Sequence, residues 1–151
     1  MEEKEMKILI FSLNGEHYAT DITDVERILG YSEPTKMPDV PEFVEGVINY
    51  GDEILPILNL NKKFRFSNDN KIDDEEKKII VIKRVENKFG VIVDVVYEVT
   101  DISSEIFEKA PEITSAVSKN YIKGLVKLDG KIIILLDIDK VLSEDEEEEI
   151  F

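Results

Sequence analysis

The chain has 151 residues, 42% of them hydrophobic, which is enough apolar material for one domain or two closely joined halves. Asp and Glu outnumber Lys and Arg by 34 to 19, so the formal net charge of -15 disfavours nucleic acid and direct membrane binding. It contains no cysteine, one histidine and no apolar run of the roughly 20 residues that span a bilayer. We therefore expect a cytoplasmic protein without disulfides, thiolate chemistry or a zinc site built from His and Cys.

The first predicted element is a β-hairpin. Residues 7–13 form an apolar strand, Asn14-Gly15 is a favoured two-residue turn, and residues 16–19 alternate enough to be the partner strand. From Asp21 to Leu29 the apolar residues recur at helical spacing, with Asp21 or Thr23 available as an N-cap and Gly30 as the stop. This short element fits either a helix or a strand with a bulge.

The second predicted hairpin lies within residues 37–60, after a loop fixed by Pro38 and Pro41. Two apolar runs, 47–48 and 54–58, flank a turn at 49–52. Pro56 has no N–H to donate, which predicts that its strand is at a sheet edge or carries a bulge there. Strand alternation places Val47 and Ile48 on opposite faces. We expect Val47→Asp to bury a carboxylate if Val47 faces the core, and Ile48→Asp to be better tolerated if its face looks toward a partner groove.

The same plan returns at residues 124–137, where a glycine opens a strand, Asp129-Gly130 turns it and an Ile/Leu run ends at Asp137. We interpret this as an internal duplication of two small β units. Between the hairpins, residues 61–78 form a charged surface loop between the halves. Strands are predicted at 79–82 and 89–93, with 94–99 continuing the second strand, and a less regular connection at 101–118. A turn or two of helix at 138–142 and a disordered acidic tail complete the chain.

Three aspartates invite a catalytic interpretation as the paired carboxylates of a hydrolase. Asp94 and Asp137 fall at strand ends, however, where turn and cap hydrogen bonds are the ordinary role, and Asp139 follows closely. The sequence has no Gly-rich phosphate loop or nucleophile elbow, and His17 lies among polar residues. We therefore predict no catalytic, cofactor or metal site.

In order and spacing, four segments resemble the CheW family of bacterial chemotaxis coupling proteins. They are FSLNGEHYATDI at 11–22, PDVPEFVEGVIN at 38–49, GVIVDVV at 90–96, and YIKG at 121–124 with LLD at 135–137. The resemblance implies an all-β fold with one or two short helices, in which two five-stranded Src-homology-3-like barrels pack side by side. The expected single CheW-like domain spans 1–151, with halves at 14–70 and 79–142 and an acidic tail at 143–151. Strand 6–13 stays with the first half or joins the second.

The resemblance also implies a non-enzymatic scaffold, monomeric when free, that is recruited to membrane-associated receptor arrays. Its implied partners are the cytoplasmic tip of a methyl-accepting chemoreceptor and the regulatory domain of the histidine kinase CheA. The alternatives are an adaptor of another kinase pathway such as surface motility, a detached regulatory domain of CheA, and an aspartate-dependent hydrolase. The implied receptor-facing groove comprises Val25, Arg27, Ile28, Asn49, Tyr50, Asp52, Val96 and Val99, and the implied kinase-facing residues are Leu128, Asp129 and Gly130.

One departure from the family pattern concerns charge. The family usually has an arginine in the central hairpin turn, whereas this chain reads Asn49-Tyr50-Gly51-Asp52, and Arg27 stands where a glutamate is common. We interpret Arg27 and Asp52 as a pair with reversed charges. The alternative is that both are ordinary solvated charges, since exposed ion pairs contribute only about 0 to 1 kcal/mol.

Overall fold

The computed structural model describes residues 5–66, 73–103, 106–109 and 120–151. Within these ranges the chain is built mostly from strands, with two short α-helices. The strands are β1 (Glu5–Leu13), β2 (Glu16–Asp21), β3 (Val25–Gly30), β4 (Val44–Tyr50), β5 (Glu53–Asn59), β6 (Lys78–Ile82), β7 (Gly90–Val93), β8 (Val95–Ser103), β9 (Phe107–Glu108), β10 (Ile122–Leu128) and β11 (Lys131–Leu136). The helices are α1 (Leu60–Lys63) and α2 (Glu144–Ile150).

The strands form two sheets with a repeated order. The first sheet runs β8-β1-β2-β11-β10-β9 and the second runs β3-β6-β7-β5-β4. In each sheet an antiparallel hairpin, β1/β2 or β6/β7, lies parallel to the last strand of a second hairpin, β10/β11 or β4/β5. The short strand β9 beside β10 has its counterpart in an isolated bridge between Thr35 and Val47 of β4. The fold is therefore all-β with an internally repeated plan, and the described residues place six strands in one sheet and five in the other.

The predicted halves of 14–70 and 79–142 do not coincide with the two sheets. β6 and β7 lie in the second sheet with β3, β4 and β5, whereas β1 and β2 lie in the first sheet with β8 to β11. Each sheet therefore takes its strands from separated parts of the chain. The sequence signals of a hairpin are local, whereas the strand that pairs with the hairpin's edge depends on how the apolar faces of distant segments pack together.

The chain crosses between the sheets at Asp94, where a continuous strand through residue 99 was predicted. β7 ends at Val93 and β8 begins at Val95, in the other sheet. The Asp94 backbone N–H donates to the Ser12 carbonyl of β1 at 3.0 Å. The continuous apolar pattern concealed this break because both strands are rich in valine.

The element after the first hairpin is a strand with a bulge, one of the two predicted alternatives. A 3₁₀ turn at Ile22–Asp24 is capped by Asp21, whose carboxylate accepts from the Thr23 N–H at 3.0 Å. In β3, Val25 is opposite Ile82 and Arg27 is opposite Val81, which leaves Glu26 as the extra residue. A bulge of this kind redirects a side chain and increases the local twist.

Two equivalent glycines permit close backbone approach in the paired hairpins. A Cβ at Gly46 would collide with the Thr35 carbonyl oxygen, and one at Gly124 would collide with the Glu108 carbonyl oxygen. The φ of Gly46 is +143°, a region that side-chain-bearing residues rarely adopt. The repeated glycine at the start of each hairpin thus has a steric reason.

Pro56 does not lie in an edge strand, and the register shift of its hairpin is between Val44 and Gly46 instead. Val47 is opposite Pro56, but its N–H donates to the Thr35 carbonyl and its carbonyl accepts from the Thr35 N–H, each at 2.9 Å. Val47 and Pro56 are therefore a non-hydrogen-bonded pair, and the Pro56 nitrogen points away from β4. On the other side, pairing with β7 begins only at Ile57. The missing N–H is tolerated because no ladder bond falls at this position.

The largest apolar cluster joins the two sheets. It includes Phe11 and Leu13 of the first sheet and Ile80, Ile82 and Val91 of the second sheet, each fully buried. Each sheet also has a smaller cluster of its own. Because the largest cluster is shared, the two sheets pack as one body.

Val47 and Ile48, which strand alternation places on opposite faces, are both half-buried. Ile48 packs against the second sheet's cluster, which includes Leu55 and Ile57, whereas Val47 belongs to none of the described clusters. The expectation that Ile48 tolerates an aspartate better than Val47 is therefore reversed, because Ile48 is the one of the two that packs against a core cluster.

The acidic tail, predicted to be disordered, contains the helix α2. Ser143 and Glu146 form a reciprocal capping box at its start. The Glu146 carboxylate also binds Lys63 at 2.9 Å, Arg84 binds Glu147, and Ile150 packs against the shared cluster. Of the predicted loops, residues 67–72, 104–105 and 110–118 lie outside the described residues.

Candidate functional site

The residues implied for a receptor groove occupy strands that border the two sheets. Val25, Arg27 and Ile28 are on β3, and Val96 and Val99 are on β8, so they lie on the equivalent outer strands of the second and first sheets. Val25 and Val96 both pack against the shared cluster. Ile28 and Val99 are 39% and 48% exposed. The structure thus places apolar side chains on both strands, with some of them open to solvent.

The other three implied groove residues belong to the central hairpin. Asn49 and Tyr50 end β4, and Asp52 lies in the turn that leads to β5. β4 is at the edge of the second sheet opposite to β3. Asn49 and Asp52 are exposed, whereas Tyr50 is half-buried against the second sheet's cluster.

Tyr50 connects these two edges through Glu26, a residue that the sequence did not single out. The Tyr50 hydroxyl donates to Glu26 Oε2 at 2.6 Å, and Lys88 Nζ binds Glu26 Oε1 at 2.8 Å. We call these three side chains the Glu26 network. The hydrogen bonds from Lys88 and then Tyr50 lower the pKa of the Glu26 carboxyl, and the hydrogen bond to Glu26 raises the pKa of Tyr50.

The predicted pair between Arg27 and Asp52 does not form. Both residues are exposed, and no ion pair joins them in the part of the chain that the structure describes. The acid that is paired in this region is Glu26, one residue before Arg27, because the bulge in β3 redirects its side chain. No sequence pattern would have revealed this, since a bulge depends on the register with β6.

The implied kinase-facing residues form the turn between β10 and β11. Asp129 and Gly130 have φ values of 51° and 76°, as a tight hairpin turn of this kind requires, and both are exposed. Leu128 packs against the first sheet's cluster. The equivalent hairpins also carry exposed isoleucines that the sequence did not single out, Ile132 (58% exposed) and Ile54 (69% exposed), directly after their turns.

The three aspartates considered for catalysis each have structural partners. Asp94, 5% exposed, accepts from the Asn14 N–H and the Asn61 side-chain amide, each at 2.9 Å. Asp139 binds Arg84 at 2.7 Å, and Asp137 is 3.7 Å from Lys140. These contacts are those of turns and ion pairs.

His17, the chain's single histidine, stacks on Tyr97 with ring centroids 5.2 Å apart. The described residues include no group of three or more His, Cys, Asp or Glu side chains that could hold a metal ion. None of the described helices has the length and apolar character needed to cross a membrane.

Comparison with known proteins is consistent with this architecture. Residues 7–146 match the family model of the CheW-like domain. The chain belongs to the CheW-like domain family. Its CheW-like relatives include the chemotaxis protein CheW of Klebsiella aerogenes, which is 35% identical over 140 residues that cover 93% of this chain and 83% of that protein. The chemotaxis protein CheW of Thermotoga maritima is 36% identical over 144 residues, covering 93% of this chain and 90% of that protein.

A solved CheW structure confirms the fold. The crystal structure of the scaffolding protein TtCheW from Thermoanaerobacter tengcongensis matches with a TM-score of 0.83 and 31% identity, covering 95% of this chain and 96% of that one. The predicted all-β CheW fold and the predicted role as a chemotaxis coupling scaffold are thereby confirmed. The hydrolase and the other predicted alternatives are not favoured.

Proposed function

We propose that this protein couples the cytoplasmic tip of a methyl-accepting chemoreceptor to the regulatory domain of the histidine kinase CheA, and that it has no catalytic activity of its own. Membership of the CheW-like family supports this proposal. The observation that carries it is the repeated strand order of the two sheets. The repeated order gives each sheet an outer strand, β3 or β8, and a hairpin on its other side, β4/β5 or β10/β11, so that one small body carries separate surfaces for two partners, as a coupling protein needs.

The receptor occupies the groove formed by Val25, Arg27, Ile28, Asn49, Tyr50, Asp52, Val96 and Val99. This assignment is supported by the exposed apolar side chains of Ile28 and Val99 on equivalent outer strands. A strand with its outer edge unpaired and apolar residues open to solvent is suited to an apolar partner face.

The kinase domain binds at the turn of Leu128, Asp129 and Gly130, which belongs to the first sheet. The net charge of -15 opposes association with anionic lipid, so the protein reaches membrane-associated arrays through its partners rather than by its own contact with lipid. The free protein is a monomer in this proposal. Each partner is bound with an affinity on the order of micromolar, since an array gains its strength from many weak contacts.

Calorimetry with a receptor cytoplasmic fragment and with the kinase regulatory domain tests the proposal. We expect Val99→Asp to weaken receptor binding and to leave kinase binding unchanged, and Asp129→Asn to have the opposite effect. Met37→Asp is the matched control because Met37 has the same 48% exposure as Val99 and lies outside both regions. Failure of the unaltered protein to bind either partner at ~100 µM, well above a micromolar Kd, would contradict the proposal.

A further inference from the structure

The second sheet is held closed at one end by side chains rather than by a strand pair. β3 and β4 are the outer strands of the order β3-β6-β7-β5-β4. The Tyr50 hydroxyl of β4 nevertheless reaches Glu26 of β3 at 2.6 Å, so the sheet must curl until its two edges approach. Lys88, in the connection between β6 and β7, adds a third segment to the same carboxylate at 2.8 Å.

The position of Glu26 explains why this contact is specific. Glu26 is the extra residue of the bulge in β3, between Val25 and Arg27 in the register with β6. Without the bulge, Glu26 would follow the regular alternation of the strand. Arg27 and Ile28 directly follow it, opposite Val81 and Ile80, so Glu26 is anchored at the start of the strand segment that carries them.

We infer that Glu26 is a positioning residue for the receptor groove: through Tyr50 and Lys88 it fixes β3 against the end of β4, and so sets the geometry of Arg27, Ile28 and Asn49. This inference rests on the proposed function for its receptor. The contact itself does not, because it is defined by the geometry of the free protein.

The Glu26 network orients the Glu26 carboxylate more than it contributes to the free energy of unfolding. The Glu26 and Lys88 side chains are 26% and 25% exposed, so water screens their charges in part. Two oxygens of one carboxylate, each bound by a donor from a different segment, nevertheless fix the plane of the group. Loss of one donor therefore changes orientation more than it changes the free energy of unfolding.

The contact is tested first in the free protein, by following the titration of Tyr50 with carbon-13 NMR of labelled tyrosine. Tyr50→Phe assigns the signal. We expect Glu26→Gln to lower the pKa of Tyr50 toward its ordinary value because the anionic acceptor is lost. Glu53→Gln is the matched control: Glu53 is opposite Tyr50 in the hairpin and exposed, and Tyr50 bonds to Glu26 instead. An unchanged Tyr50 titration in Glu26→Gln overturns the inference, whatever the binding result.

The positioning role is tested by receptor and kinase binding to the same variants. We expect Glu26→Gln, Tyr50→Phe and Lys88→Gln each to weaken binding of the receptor fragment roughly threefold to tenfold with kinase binding unchanged. Amide signals of Arg27, Ile28 and Asn49 should shift more in these variants than in Glu53→Gln. If Ile28→Asp abolishes receptor binding but the three network variants bind like the unaltered protein, the positioning role is overturned and the proposed groove stands. If the unaltered protein binds no receptor fragment, the proposed function fails, and the titration result alone remains.

Discussion

The Asp94 carboxylate accepts a hydrogen bond from the Asn61 side-chain amide at 2.9 Å, and this contact joins the crossover between the two sheets to the helix that follows the central hairpin. Its second oxygen accepts from the Asn14 N–H in the first hairpin turn, also at 2.9 Å. One buried carboxylate thus connects three segments that are far apart in the chain.

Replacement of Asp94 by alanine should destabilise the whole protein. The change removes a buried carboxylate that accepts two hydrogen bonds, one from the Asn14 N–H and one from the Asn61 side-chain amide, which costs about 2 to 4 kcal/mol of the free energy of unfolding. Urea denaturation measures the loss. Asp101→Ala is the control because the exposed Asp101 is 3.9 Å from Lys7, and we expect less than about 0.5 kcal/mol there. Equal losses in the two variants would show that Asp94 does not hold the crossover.

Gly46→Ala should be among the most damaging conservative changes in the chain. The added Cβ collides with the Thr35 carbonyl oxygen, and the φ of +143° is unfavourable for alanine, so we expect a loss of about 3 kcal/mol or more. Gly30→Ala is the control since no atom lies within 4 Å of its added Cβ, and it should change stability by about 1 kcal/mol or less. Thermal denaturation compares the two, and a tolerated Gly46→Ala would contradict the close approach of the Thr35 segment.

Aspartate substitutions at Val47 and Ile48 should show which face of β4 packs against the core. Ile48→Asp places a carboxylate against the second sheet's cluster and should cost about 2 to 4 kcal/mol, whereas Val47→Asp should cost clearly less. Chemical denaturation of both variants gives the comparison. A larger loss for Val47→Asp would mean that Val47 rather than Ile48 faces the core.

The helix α2 should be lost on acidification before the rest of the fold. Burial alone would raise the pKa of Glu146, but its hydrogen bond from the Ser143 backbone and its contact with Lys63 outweigh burial and lower the pKa. The stabilisation is therefore present above the unfolded value of about 4.3 and is lost as pH falls through the lower folded value. Hydrogen exchange of residues 144–150 against pH measures this loss.

Two variants separate the causes of that acid sensitivity. Glu146→Gln keeps an oxygen for the capping box but removes the charge that faces Lys63. The rate of hydrogen exchange in α2 should therefore rise slightly, and the part of its pH dependence that comes from residue 146 should disappear. Ser143→Ala removes the cap and should cost about 1 kcal/mol of helix stability at neutral pH. An acid profile for Glu146→Gln identical to that of the unaltered protein would assign the effect to another carboxylate.

The elements that could be predicted are those whose signals are local. The Asn14-Gly15 and Asp129-Gly130 turns adopt the positive φ values that their sequences favour, and the hairpins around them form as expected. The repeated plan around Gly46 and Gly124 was visible because the same steric need recurs in both sheets. The spacing of Ser143 and Glu146 is that of a capping box and could have predicted the start of α2, but the acidic run that follows was interpreted as a disordered tail instead.

The amino-acid sequence by itself determined the β class, the duplicated hairpins and the family, because turn chemistry, apolar alternation and motif spacing act over a few residues. Tertiary structure alone decided which hairpins share a sheet, the crossover at Asp94 and the choice of Glu26 over Arg27 as the paired charge. Apolar strands have many acceptable neighbours, and a surface charge has many possible partners. Only the register between β3 and β6, set by packing across the whole second sheet, aims Glu26 at Tyr50 and Lys88.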